Sequence, residues 1–187
     1  MRRRNLFALL LCFLILSGCT AGDEPAQQAL DFRTGLMEAG GCSFTAAVRA
    51  DFGDRIYSFT LACQYSEEEA QLEVLEPENI AGVKAAVSDD GAQIEFEDIA
   101  LDFGQLANGH VSTVAAPWLL ARCWEGAYIA WSGPDGGQER VTYLRGYNDE
   151  EVTVDTWFLD GVPTYAEVTC DGTRCLTAEI TEFKFLS

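Results

Sequence analysis

Any chemistry in this chain would have to come from its acids, its cysteines and a single histidine. His110 is the only histidine among 187 residues and sits in Asn-Gly-His-Val-Ser, two residues before Ser112. A nucleophilic serine needs a base beside it and a strained turn to present it. No Gly-x-Ser-x-Gly elbow occurs, and a lone loop histidine reads as surface decoration. Carboxylates cluster at Glu67-Glu68-Glu69, Glu95/Glu97/Asp98 and Asp149-Glu150-Glu151. Paired carboxylates can hydrolyse a glycoside, and oxygen-rich loops can hold calcium. Neither chemistry has its spacing here: the Asp-x-Asp-x-Asp-Gly pattern is missing, and acid runs in turns read as a solvated face. His-Glu-x-x-His, a phosphate-cradling loop and a dinucleotide fingerprint are also absent. The expectation is a protein without catalytic residues, metal ligands or cofactor, and not an enzyme.

The N-terminus carries a stronger signal. Met1 and three arginines precede an apolar run from Leu6 to Leu16, followed by Ser17-Gly18-Cys19. A basic head, a run of that length and small residues before a cut make a secretory signal. The run falls short of the ~20 residues that a spanning helix needs. Leu16-Ser17-Gly18-Cys19 resembles the bacterial lipobox at every position. The resemblance implies that residues 1–18 are removed and that Cys19 takes a diacylglyceryl thioether. The protein is then held on the extracytoplasmic face of a bacterial membrane. Residues 19–28 read as a polar tether and residues 29–187 as one domain.

The precursor has 12 Lys+Arg against 30 Asp+Glu, a net charge of −18. Losing the three leader arginines leaves −21. Such a charge opposes nucleic acid and anionic head groups as partners, though not folding.

Five cysteines remain besides Cys19 in the exported chain, an odd number, so at least one is free or pairs between molecules. If the first hairpin folds symmetrically about Phe52-Gly53, Cys42 lies opposite Cys63, and Phe44, Ala46 and Val48 face Leu61, Phe59 and Tyr57. That register makes an apolar face and a cross-strand disulfide together. Cys170 and Cys175 bracket Asp171-Gly172-Thr173-Arg174, a four-residue loop whose ends a bridge could staple, with a bulge or shifted register nearby. Cys123 is left as a buried thiol. CxxC is absent, so zinc is not expected. In a strictly anaerobic habitat all five can stay reduced.

Asp23-Glu24-Pro25 opens a helix, Ala29, Leu30, Phe32, Leu36 and Met37 give it an apolar side, and Gly40-Gly41 stops it. Strands follow at Gln71–Leu75, Gly82–Val87, Gln93–Phe96 and Ile99–Phe103, with turns at Ser88–Gly91 and Asn108-Gly109. A second, strongly apolar helix is expected over Val114–Glu125, and its all-round apolarity suggests a lid over a pocket. The last third reads as five strands, with Asp160-Gly161 between two of them. The expected fold class is α+β: a large curved antiparallel sheet with two helices covering one face.

The stretch Leu72–Phe103 runs strand, Glu76-Pro77-Glu78, strand, Asp-Asp-Gly turn, aromatic strand, and strands at Val152–Phe158, Thr164–Cys170 and Leu176–Phe185 close the chain. This arrangement resembles the lipoprotein-carrier (Lol-type) superfamily of bacterial envelopes. The resemblance implies a half-barrel whose open side is covered by helices, with a hydrophobic cavity that accepts a lipid or other hydrophobic ligand. Phe44, Phe59, Leu61, Val74, Trp118 and Leu119 are the residues placed in that cavity, although ordinary core packing accounts for the same residues. Internal cysteines and extreme acidity depart from the carriers. The alternative is an anchored acidic module that meets a basic protein partner in envelope or spore assembly.

Overall fold

The computed structural model describes residues 24–51, 53, 55–96, 99–103, 106–107, 110–146 and 151–187. The expected leader and lipobox, and the acids Glu97, Asp98, Asp149 and Glu150, lie outside them.

Helix α1 (Glu24–Glu38) comes first, so residues 24–28 of the expected tether are helical. Ala29, Phe32 and Leu36 recur at helical spacing and are its buried residues, while Leu30 and Met37 are exposed. The chain then turns at Gly40 into Gly41, where a Cβ would lie 2.0 Å from the Tyr65 carbonyl oxygen at a φ of +140°. Only glycine fits there.

Thirteen strands follow among the described residues. Strands β1 (Gly41–Asp51), β2 (Ile56–Ser66), β3 (Glu69–Glu76), β4 (Lys84–Ser88), β5 (Gly91–Phe96) and β6 (Ile99–Phe103) form a meander, and β7 (Leu106–Ala107) with β8 (His110–Val111) makes a small separate ribbon. Helix α2 (Ala116–Gly126) interrupts the pattern. Strands β9 (Tyr128–Asp135), β10 (Gln138–Arg145), β11 (Val152–Leu159), β12 (Val162–Cys170) and β13 (Thr173–Phe185) complete it. One antiparallel sheet contains 11 of them in the order β6-β5-β4-β3-β2-β1-β13-β12-β11-β10-β9. The class is therefore α+β, one large curved sheet with two helices on one face. Alternation makes the inner face apolar: Phe44, Ala46 and Val48 on β1, Leu61 and Cys63 on β2, Val154 and Phe158 on β11, Leu176 and Ile180 on β13 are all buried.

The first hairpin corrects the expected register. Asp51 pairs with Ile56, so Cys42 faces Tyr65, Phe44 faces Cys63, Ala46 faces Leu61 and Val48 faces Phe59. The slip is two residues, which keeps every side chain on its expected face but gives it a new partner. Cys42 and Cys63 are thus diagonal neighbours rather than the directly opposed pair from which the bridge was inferred, and both are free thiols. The last hairpin is tighter than expected. Asp171 (φ 51°) and Gly172 (φ 70°) are a two-residue turn, with Cys170 opposite Thr173. A register shift beside Val168 and Thr169 leaves Cys175 between paired residues. The Cys170 and Cys175 sulfurs lie 3.2 Å apart as thiols.

Candidate functional site

Helix α2 determines what the hollow of the sheet can hold. Pro117 sits in its first turn, where a missing N–H costs nothing, and eight of its eleven residues are buried. Trp118, Leu119 and Leu120 are among them and belong to the same core cluster as Phe44, Leu61 and Val74. The helix packs its buried residues into that core as an inner layer. Five of the six expected ligand residues (Phe44, Leu61, Val74, Trp118, Leu119) are therefore core side chains at 5 % exposure or less, and Phe59 is half-buried against them. Phe44 and Phe59 also border two hollows of about 500 and 860 Å³ with mixed apolar and charged linings.

Arg33 of α1 fixes the inner helix from the other side. Its Nε donates to the Trp124 carbonyl at 2.9 Å and a terminal nitrogen donates to the Ala127 carbonyl at 2.6 Å, satisfying groups left over at the α2 C-terminus. Trp124 is fully buried, and its Nε1 donates to the buried Thr156 hydroxyl at 3.0 Å. Around it stand Phe32, Phe44 and Phe183 with ring centres 5.3–6.1 Å away.

This aromatic cluster reaches solvent under α1. Phe32 packs on Phe158 at 4.9 Å and on Phe185 at 5.6 Å. Between α1, the β9–β10 turn, the end of β11 and the end of β13 lies a cleft of about 670 Å³, lined by Phe32, Phe158, Leu159 and Phe185 with Gln28 and Glu139 at its polar edge. Leu159 is 47 % exposed and Phe185 40 %. That volume is in the range of ordinary ligand sites, and Asp31, Gln138 and Asp160 join Gln28 and Glu139 around the apolar side chains. The sequence places Phe32 on the apolar side of α1 but contains no local signal that joins it to residues 158, 159 and 185. Only the meeting of α1 with two distant strand ends does so.

At another rim, charges bridge the curl of the sheet. Asp89, in the β4–β5 turn, accepts from Arg122 of α2 at 3.0 and 3.1 Å and from Arg145 at the end of β10. β5 and β10 are each one strand in from opposite edges of the sheet, so this contact joins its two halves across the mouth. Arg122 also pairs with Glu68 and Glu125 at 3.0 Å, and Tyr65 donates to Glu125 at 2.5 Å. The Arg145 guanidinium lies 4.8 Å from the Trp118 ring centre, and the Trp118 Nε1 donates to the Glu68 carbonyl. Glu67 and Glu68 both hold positive φ (51° and 68°), a strained turn for non-glycine residues that these contacts keep in place.

Partial burial disfavours the Asp89 carboxylate, but the hydrogen bond from Arg122 and the charges of Arg145 and Arg122 outweigh it and hold its pKa below the ordinary 3.8. A lowered folded-state value means stability that is present above the unfolded pKa and lost as pH falls through the folded one. Asp89→Asn is therefore expected to lower the melting temperature at pH 7, with the gap to wild type closing below about pH 4. Melting curves from pH 7 to pH 2 check this, and a gap that stays constant with pH would sink it.

Burial, with a smaller push from Glu125, raises the Cys42 thiol to about 12, and burial raises Cys123 to about 12. Both are held as inert protonated thiols. Among the described residues no group of three or more His, Cys, Asp or Glu side chains could hold a metal, and no helix is long and apolar enough to cross a membrane.

No protein-family model matches the chain, and no curated protein matches it in sequence. Solved structures do. A lipoprotein-sorting protein domain of Vibrio parahaemolyticus is similar at 9 % identity and a TM-score of 0.48, over 87 % of this chain and 92 % of that one. A LolA superfamily protein of Nitrosomonas europaea is similar at 10 % identity and 0.43, over 85 % and 94 %. The Mycobacterium tuberculosis lipoprotein LppX is similar at 11 % identity and 0.40, over 85 % and 92 %.

Proposed function

We propose that this protein is a lipoprotein anchored through Cys19 on the extracytoplasmic face of a bacterial membrane, and that it holds a lipid or other hydrophobic ligand. The site is the cleft beneath α1 and not the residues beneath α2 that the sequence suggested. The observation that carries this reading is the cleft itself, where Phe185 and Leu159 stand exposed beside the buried rings of Phe32 and Phe158. The lipobox supports the location, since a protein tethered at a bilayer surface has hydrophobic ligands within reach.

Gly35 offers a clean test. It lies on α1 in the wall of the cleft, and a Cβ there would meet the Phe185 ring at 3.5 Å, an ordinary contact. Gly35→Leu extends a side chain into the cleft while removing a helix-interior glycine, worth about 0.5–1 kcal/mol in favour of the helix. The expected result is loss of binding of a fluorescent fatty-acid probe with no fall in melting temperature. Native mass spectrometry of wild type purified without its anchor should show co-purifying lipid, and the variant should not. Unchanged probe binding in Gly35→Leu, or no binding in wild type, would remove the cleft as the site.

A further inference from the structure

The outer face of the sheet is polar over most of its width, but at one end it is aromatic. Trp131 on β9, Trp157 on β11 and Tyr165 on β12 stand on this face, and Tyr128 lies on it opposite Leu144. Tyr128 is 72 % exposed and Trp131 43 %. The corresponding positions on β1 and β2 are Thr45, Ala47, Arg49, Ser58, Thr60 and Ala62, with no aromatic ring among them. A protein with an 11-strand sheet to cover has placed half of its four tryptophans on the solvent side of that sheet. Neither the cleft nor the core uses them.

The patch is organised around a cation. The Arg140 guanidinium lies 4.5 Å from the Trp131 ring centre and 5.8 Å from that of Trp157, and Trp157 meets Tyr165 at 5.3 Å. Carboxylates edge the row: Asp135 and Asp155 stand 3.7 and 3.9 Å from Arg140, at ion-pair and not hydrogen-bond distance. Asp135 accepts from the Trp157 Nε1 at 3.0 Å, and Asp155 accepts from Thr142 at 2.5 Å. Each carboxylate keeps acceptor capacity beyond these bonds. The Trp131 ring lies against Gly133, whose Cβ would meet it at 2.8 Å, so the bare backbone seats the indole flat on the sheet. Among the described residues β9 has β10 on one side and no strand on the other. Its free edge therefore adjoins the aromatic row.

We infer that this face is a docking surface for an extended, cationic segment of another protein, whose arginine or lysine side chains continue the row that Arg140 begins. Exposed indole and phenol faces bordered by carboxylates select a cation twice, through the ring quadrupole and through charge. The free edge of β9 can pair the backbone of an extended chain. A second copy of this chain is the wrong occupant because each carries a net charge of −18 before processing and more after it. Anionic polymers are repelled for the same reason. The inference is independent of the hydrophobic-ligand reading, since the patch and the cleft lie on opposite faces of the sheet.

The test uses the full chain in detergent and a hexa-arginine peptide at low salt, followed by tryptophan fluorescence and calorimetry. Trp131→Ala and Asp155→Asn are each expected to weaken binding about tenfold, and Trp131→Phe less. Glu73→Gln with Glu95→Gln removes two charges from exposed positions on β3 and β5 and should change binding less than about twofold. Circular dichroism and melting curves confirm that each variant folds. Equal weakening by the distant pair would show bulk attraction and overturn the docking surface. Absence of hexa-arginine binding would do the same, as would Trp131-dependent binding of an uncharged β-linked oligosaccharide in its place, or concentration-dependent dimerisation blocked by Trp131→Ala.

Discussion

Replacing Trp124 by alanine is expected to remove about 3–5 kcal/mol of unfolding free energy, the range for truncating a large buried aromatic. The side chain is fully buried and packs on Phe32, Phe44 and Phe183. Its Nε1 donates to Thr156, a hydroxyl at 0 % exposure that the truncation would leave without that bond. An orphaned buried hydroxyl adds about 1–3 kcal/mol of its own, unless water enters the new cavity. The loss follows from α2 being an inner layer. A lid helix would surrender its tryptophan at little cost in stability and at large cost in binding. Urea unfolding with an unchanged slope and a lower midpoint checks the expectation. A loss below about 1 kcal/mol, the level typical of ordinary single substitutions, would return α2 to the role of lid.

Trp124 also marks where the sequence stops being legible. Element types were readable because they rest on local rules: helical spacing in Ala29, Phe32 and Leu36, alternation along β1 and β2, turn residues at Asp160-Gly161 and Asp171-Gly172. Face assignment was readable for the same reason, since Phe44, Ala46 and Val48 point inward in either register. The register itself was not, because alternation is unchanged by a slip of two and only the loop length between Asp51 and Ile56 decides it. Five of the six residues assigned to a cavity are buried core, because apolarity marks burial without saying whether a helix or a ligand fills the space. The cleft under α1 was out of reach. Phe32, Phe158 and Phe185 meet only after α1 and β13 are placed on the same face. The outer-face patch was hidden differently: Trp131 and Trp157 alternate properly, and nothing local shows that they alternate to the solvent side.

Cys19→Ala is expected to prevent lipidation outright, leaving uncleaved precursor or released soluble protein. The thioether glycerol would bring two acyl chains, and each buried methylene contributes about 0.8 kcal/mol, so the anchor is firm where a single chain is marginal. A formal charge of −21 after processing opposes anionic head groups, and no described helix is long and apolar enough to span. The tether also limits where the anchored domain can sit. Helix α1 begins at Glu24, five residues beyond Cys19, a reach of at most about 18 Å. An anchor at Cys19 would hold the cleft along α1, with Gln28 in its wall one helical turn further on, near the bilayer surface. So short an anchor would suit a site that exchanges hydrophobic ligand with the membrane beneath it. Carbonate-washed membranes and metabolic palmitate labelling read the result directly. Palmitate incorporated into Cys19→Ala would remove the anchor and with it the reason for placing the cleft at a bilayer.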